Sequence, residues 1–147
     1  MNAWTRIGLA SLLALAISCA RPTENREMNV VATDYAFTVA DTVAPGRATV
    51  TFTNRGAVRH ELSLARLKPG VTLRDVMQAQ QQGKKPEDFL IGSGILIARP
   101  GETDPIGLNV DMKPGERYAM VCFFRDSASA PPHVALGMMK EVIVASR

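Results

Sequence analysis

Four side chains, His60, Cys122, His133 and Met138, set the tightest limit on what this chain can fold into. Three of them fall in one stretch, KPGERYAMVCFFRDSASAPPHVALGMMKEVIV, from Lys113 to Val144, and His60 follows a turn-like NRGAVR far upstream. For the four to act together, the fold must carry residue 60 back beside residues 122–138. The inventory favours joint action. The 147-residue chain has two histidines and two cysteines, and the second cysteine, Cys19, has a separate explanation. Cysteine offers a soft thiolate, histidine a nitrogen, and methionine a weak thioether. Two His and one Cys in a plane with a distant Met form the donor set of a blue-copper electron-transfer centre. A small buried Cys with two incidental histidines is the bland alternative, and the spacing argues against it.

The intervening segments read as short strands. MNVVAT, Met28 to Thr33, is a β-branched run, and DYAFTV alternates Tyr35, Phe37 and Val39 on one face. RATVTFTN sets Ala48, Val50 and Phe52 against Thr49, Thr51 and Thr53. HELSLARL places His60, Leu62 and Leu64 on one side, so His60 enters at the end of a core-facing row. One excursion interrupts this pattern. PGVTLRDVMQAQQQG predicts a helix over 72–82, with Thr72 as N-cap, Asp75 completing a variant capping box and Gly83 as the stop. FLIGSGILIA is apolar around a GSG that suggests a bend or a close backbone approach, and its glycine spacing matches no nucleotide fingerprint. ETDPIGLNVDM alternates again at Ile106, Leu108 and Val110, RYAMVCFF delivers Cys122 on the face of Met120, and MMKEVIV closes the sheet. About eight strands and one short helix imply an all-β Greek-key sandwich.

FTNRGAVRHE from Phe52 to Glu61, PGERYAMVC ending at Cys122, and HVALGMMKEVIV from His133 together resemble the cupredoxins of the plastocyanin and azurin kind. The His-x4-Met spacing is that of plastocyanins and selects Met138 over Met139. The resemblance implies a cupredoxin domain over 28–147 and one copper ion, cycling between Cu(I) and Cu(II), held by His60, Cys122, His133 and Met138. It implies an electron carrier rather than an enzyme. The chain departs from the pattern at three points. Glu61 stands where plastocyanins have Asn, Phe123 where they have Ser or Thr, and ten residues separate Cys122 from His133. In cupredoxins the second histidine shows its ring edge through an apolar patch that docks partners. Residues 128–139, ASAPPHVALGMM, carry no ionised side chain, which for Val134 and Leu136 would also suit core packing. Pro131-Pro132 and Gly137 favour a surface loop instead, so Pro132, Val134 and Leu136 are the expected patch for transient redox partners.

The amino terminus reads as a secretory signal over 1–18, with Arg6 in the charged region and an apolar run from Ile7 to Ile17 that is too short to span a bilayer. AISC, ending at Cys19, resembles a bacterial lipobox, which makes Cys19 a lipid-attachment site and residues 19–27 a polar tether. The expected location is extracytoplasmic, membrane-anchored through Cys19 or soluble in the periplasm after ordinary cleavage. A net charge of +3, with basic residues scattered and aromatics few, gives no nucleic-acid footprint, and the domain is expected to be monomeric. Two other functions use similar residues. A copper storage, delivery or tolerance protein could share the ligands, but the remaining methionines, such as Met77 and Met112, form no cluster. Multicopper enzymes need further histidines that the chain lacks. Zinc accepts Cys and His, but methionine is a poor fourth ligand for it.

Overall fold

The period-two alternation of apolar and hydroxyl residues becomes two packed sheets in a computed structural model, which describes residues 25–146. The expected signal segment 1–18, Cys19 and the first part of the expected tether lie outside the described residues. Among the described residues nine strands run Arg26–Thr33 (β1), Ala36–Thr38 (β2), Thr42–Val43 (β3), Gly46–Asn54 (β4), His60–Leu67 (β5), Leu90–Ala98 (β6), Leu108–Met112 (β7), Arg117–Val121 (β8) and Met139–Val144 (β9). One helix, Leu73–Gln81 (α1), interrupts them. The sheets are ordered β2-β1-β4-β7 and β3-β9-β8-β5-β6. Val50 and Phe52 of one sheet meet Leu62, Leu64 and Met120 of the other in a single core. Alternation puts these side chains inward while Thr49, Thr51 and Thr53 stay at the outer face, as a half-buried strand requires.

The order of the second sheet is what positions the chemistry. Strand β5 pairs antiparallel with β8, Ser63 opposite Val121, so the start of β5 and the end of β8 lie at the same edge of the sandwich. His60 opens the first and Cys122 follows the second. Residues far apart in sequence thereby become neighbours on a rigid frame.

Local chemistry accounts for α1. Thr72 accepts from the Asp75 N–H while the Asp75 carboxylate accepts from the Thr72 N–H, and Gly83, with φ +72°, ends the excursion. Val76 and Ala79 are its buried side, and Val76 packs with Leu67 and Ala119 on the outer face of the larger sheet. No helix among the described residues is long and apolar enough to cross a membrane.

Four expectations shift. Arg26 and Glu27 belong to β1, opposite Ala48 and Thr49, so regular structure begins before the expected boundary at residue 28. Tyr35 is not in a strand; it turns the chain between β1 and β2 at φ 64°, although Tyr35, Phe37 and Val39 do all pack on the core. The GSG segment is continuous strand β6, with an irregular register opposite Leu64/Ala65. There Gly94 lets Leu108 approach so closely that a Cβ would come within 2.6 Å of it. Ile106 falls outside β7 and is 84% exposed.

Opposite the site, Glu116 accepts from the Lys113 N–H and the Tyr118 hydroxyl and pairs with Arg66. Burial alone would raise its pKa, but these donors together hold it below the ordinary 4.5. A carboxylate depressed in the fold contributes stability above its unfolded pKa and loses it as pH falls through the folded value. Glu116→Gln should therefore cost on the order of 1 kcal/mol at neutral pH. That difference should vanish well below pH 4.5, as urea unfolding at two pH values would show.

Candidate metal centre

Two backbone segments bring the donors together. The first is the loop from Asn54 to His60. Asn54, fully buried, donates to the carbonyls of Val58 and Ala98 and accepts from the Gly56 N–H. This fixes the loop against the end of β6, where Ala98 pairs with His60. The second runs from Cys122 to Met138. The Cys122 N–H donates to Met138 O, Val134 N–H to Cys122 O, His133 N–H to Phe124 O, and Met138 N–H to His133 O. A 3-10 turn over His133–Leu136, ended by Gly137 at φ 103°, sets the direction of the His133 side chain.

Glu61 joins the two segments. Its carboxylate accepts from the Phe123 N–H at 2.8 Å, and its own N–H points at Cys122 Sγ, 3.4 Å away. The Glu61 carboxylate thus ties the two ligand-bearing segments together, through a backbone group that Phe123 supplies as well as any residue. Arg59 adds a cation–π contact, its guanidinium 4.7 Å from the Phe124 ring centroid.

The donors converge tightly. His60 Nδ1 and His133 Nδ1 are 3.1 Å apart, and Cys122 Sγ is 3.4 Å from the second and 3.9 Å from the first. All three donor atoms lie within 4.8 Å of one another, and all three residues are buried. Met138 is likewise fully buried, and its backbone is hydrogen-bonded to both Cys122 and His133. The outer ring nitrogens face carboxylates: His60 Nε2 lies 3.3 Å from Asp34 Oδ1, and His133 Nε2 lies 3.0 Å from Asp126 Oδ1. An ionised carboxylate only accepts, so each Nε2 carries the hydrogen and each Nδ1 turns a lone pair inward. Burial pushes His60 below its usual pKa, which keeps the ring neutral. Two such lone pairs 3.1 Å apart repel unless a proton or a cation lies between them. Burial also pushes the Cys122 thiol up, more than the N–H groups of Glu61 and Phe124 offset. A positive ion at the convergence point would relieve both penalties at once.

The expected patch needs correction. Val134 is 5% exposed and packs inward, because its N–H binds Cys122 O and draws it under the loop. His133 is 1% exposed and shows no ring edge, since Asp126 and Tyr35 cover it. Pro132 is half-buried, and Leu136 is exposed at 44%. Sequence reasoning gave no role to Asp34, Tyr35 or Asp126. The available signal was the lengthened Cys122–His133 loop, which is where Asp126 lies.

Neither family models nor curated protein sequences match the chain. Its structure is similar to that of dithionite-reduced auracyanin from the photosynthetic bacterium Roseiflexus castenholzii. The TM-score is 0.54 at 20% identity, over 84% of this chain and 99% of that one. It is also similar to auracyanin B, with a TM-score of 0.51 at 17% identity over 86% and 93% of the two chains. The sheet order and these likenesses agree: the chain has the cupredoxin fold.

Proposed function

We propose that the protein is a mononuclear copper protein that carries electrons outside the cytoplasm. The observation that carries this reading is the convergence of two inward Nδ1 lone pairs and the Cys122 sulfur at one buried point. A soft thiolate with two imidazoles suits copper, and the buried Met138 would complete the set as a weak thioether donor. Bound there, copper would supply a one-electron couple between Cu(I) and Cu(II). The chain's part is to hold the donors still. His60 and Cys122 are fixed to β5 and β8, and Glu61 ties their segments, so little should move when the charge changes. The N–H groups at Cys122 Sγ tune its donor strength.

A resident ion is favoured over storage or delivery because every proposed ligand is buried and none is presented to an acceptor. The auracyanin of similar fold was solved after chemical reduction, in keeping with a redox role. Redox partners would dock transiently near the exposed Leu136, through a small contact that separates quickly. The lipobox-like AISC supports attachment to the outer side of a membrane through Cys19, and the mass of the mature amino terminus tests it. Adding one equivalent of Cu(II) to the purified protein should give intense visible absorption, blue or green. A colourless complex would sink the blue-copper reading.

A further inference from the structure

We propose that Asp34 and Asp126 are paired positioning residues. Each grips one histidine by its Nε2–H, so that both Nδ1 atoms face Cys122, and their charge favours the oxidised ion. This rests on the copper reading above and says what governs its couple. The two carboxylates do the same thing to the two rings from opposite ends of the chain, at 3.3 Å for Asp34 and 3.0 Å for Asp126.

Each carboxylate is itself held. Asp34 Oδ1 accepts from the Ala57 N–H at 2.8 Å, inside the loop that leads to His60. Gly56 leaves the room: a Cβ there would lie 2.3 Å from Asp34 Oδ1 and 3.0 Å from His60 Nε2. Asp126 accepts a 2.6 Å hydrogen bond from the Tyr35 hydroxyl. The Tyr35 ring also stands edge-on to His133, centroids 5.0 Å apart. Asp34 and Tyr35 are neighbours in one turn, made possible by the positive φ of Tyr35. One turn therefore supplies the holder of His60 and the support for the holder of His133.

The chemistry follows from this placement. A carboxylate accepting from one imidazole nitrogen fixes the tautomer and raises the basicity of the other. Two nearby anions also interact more favourably with a doubly charged ion than with a singly charged one. The side chains are 43% and 36% exposed, so solvent and salt weaken the effect without removing it.

The test uses the full-length protein and its Asp34→Asn, Asp126→Asn and doubly substituted forms, with Asp126→Ala as a fourth. Copper affinity in both oxidation states, reduction potential and histidine tautomers are measured, the last by nitrogen NMR on metal-free protein. Each Asn variant should weaken Cu(II) binding by about 10–100-fold and Cu(I) binding less. A tenfold selective loss of the oxidised ion raises a one-electron potential by about 59 mV. The visible band should persist, because Cys122 is unchanged. Asp126→Ala should let metal-free His133 populate the Nδ1–H tautomer. Should Asp34→Asn fail to fold through its Ala57 contact, the two Asp126 variants carry the test. An unchanged potential in the Asn variants together with an unchanged His133 tautomer in Asp126→Ala would overturn the proposal. If the parent protein binds no copper, the copper reading fails by itself, and the tautomer measurement still decides whether the carboxylates position the rings.

Discussion

Cys122→Ser is expected to abolish the visible colour of the copper-loaded protein while leaving the sandwich intact. The colour of such a site comes from charge transfer out of the thiolate, and a serine hydroxyl has no equivalent orbital to offer. The fold should survive because the two side chains are close to isosteric. The N–H groups of Glu61 and Phe124 that face the sulfur can also bind the hydroxyl oxygen. A cost of about 1–2 kcal/mol in the metal-free protein is reasonable for moving a hydroxyl into a fully buried position. Visible spectroscopy and thermal unfolding of metal-free samples check the two halves separately. Persisting colour would remove Cys122 from the centre.

Asn54→Ala should produce the largest loss of stability among the residues around the site, about 3 kcal/mol. The side chain is fully buried and satisfies three backbone groups, the carbonyls of Val58 and Ala98 and the N–H of Gly56. Alanine would leave all three without that partner, where water cannot easily reach. The loop that carries His60 would lose its attachment to β6, so copper affinity should fall alongside stability. Urea unfolding and a chelator competition report the two effects. A change below about 0.5 kcal/mol, the scale of ordinary surface substitutions, would show that the loop is held by other means.

The parts legible in the sequence were those whose causes are local or periodic. Thr72 and Asp75 are three residues apart and define the start of α1 by themselves. The alternation around Val50 and Phe52, and the row from His60 through Leu64, need only the two-residue period of a strand. His60, Cys122 and His133 could be grouped because the chain has so few histidines and cysteines that they identified one another. What was hidden depends on contacts across the chain. Tyr35 meets Asp126 over a separation of 91 residues, and no pattern near either one announces it. An unexpected positive φ at Tyr35 ended a strand that alternation alone would have continued. Val134 looked like a surface residue because Pro131, Pro132 and Gly137 mark a loop, yet it is buried, with its N–H bonded to Cys122 O.

The complete burial of His60, Cys122, His133 and Met138 separates how tightly the site binds from how fast it fills. With every proposed ligand covered, an ion can reach the centre only when part of the covering opens. The natural place is the exposed stretch from Asp126 to Ser129, joined to the rest by the bonds of Asp126 to the Tyr35 hydroxyl and His133 Nε2 and by the Arg125 contact to Ala130. Loading is then timed by local opening of the chain, a process governed by few contacts and therefore far cheaper than global unfolding. Once the stretch closes, the same barrier resists escape. Newly made protein would acquire its metal most readily before this cover forms, so the order of folding and loading becomes part of how the centre is assembled.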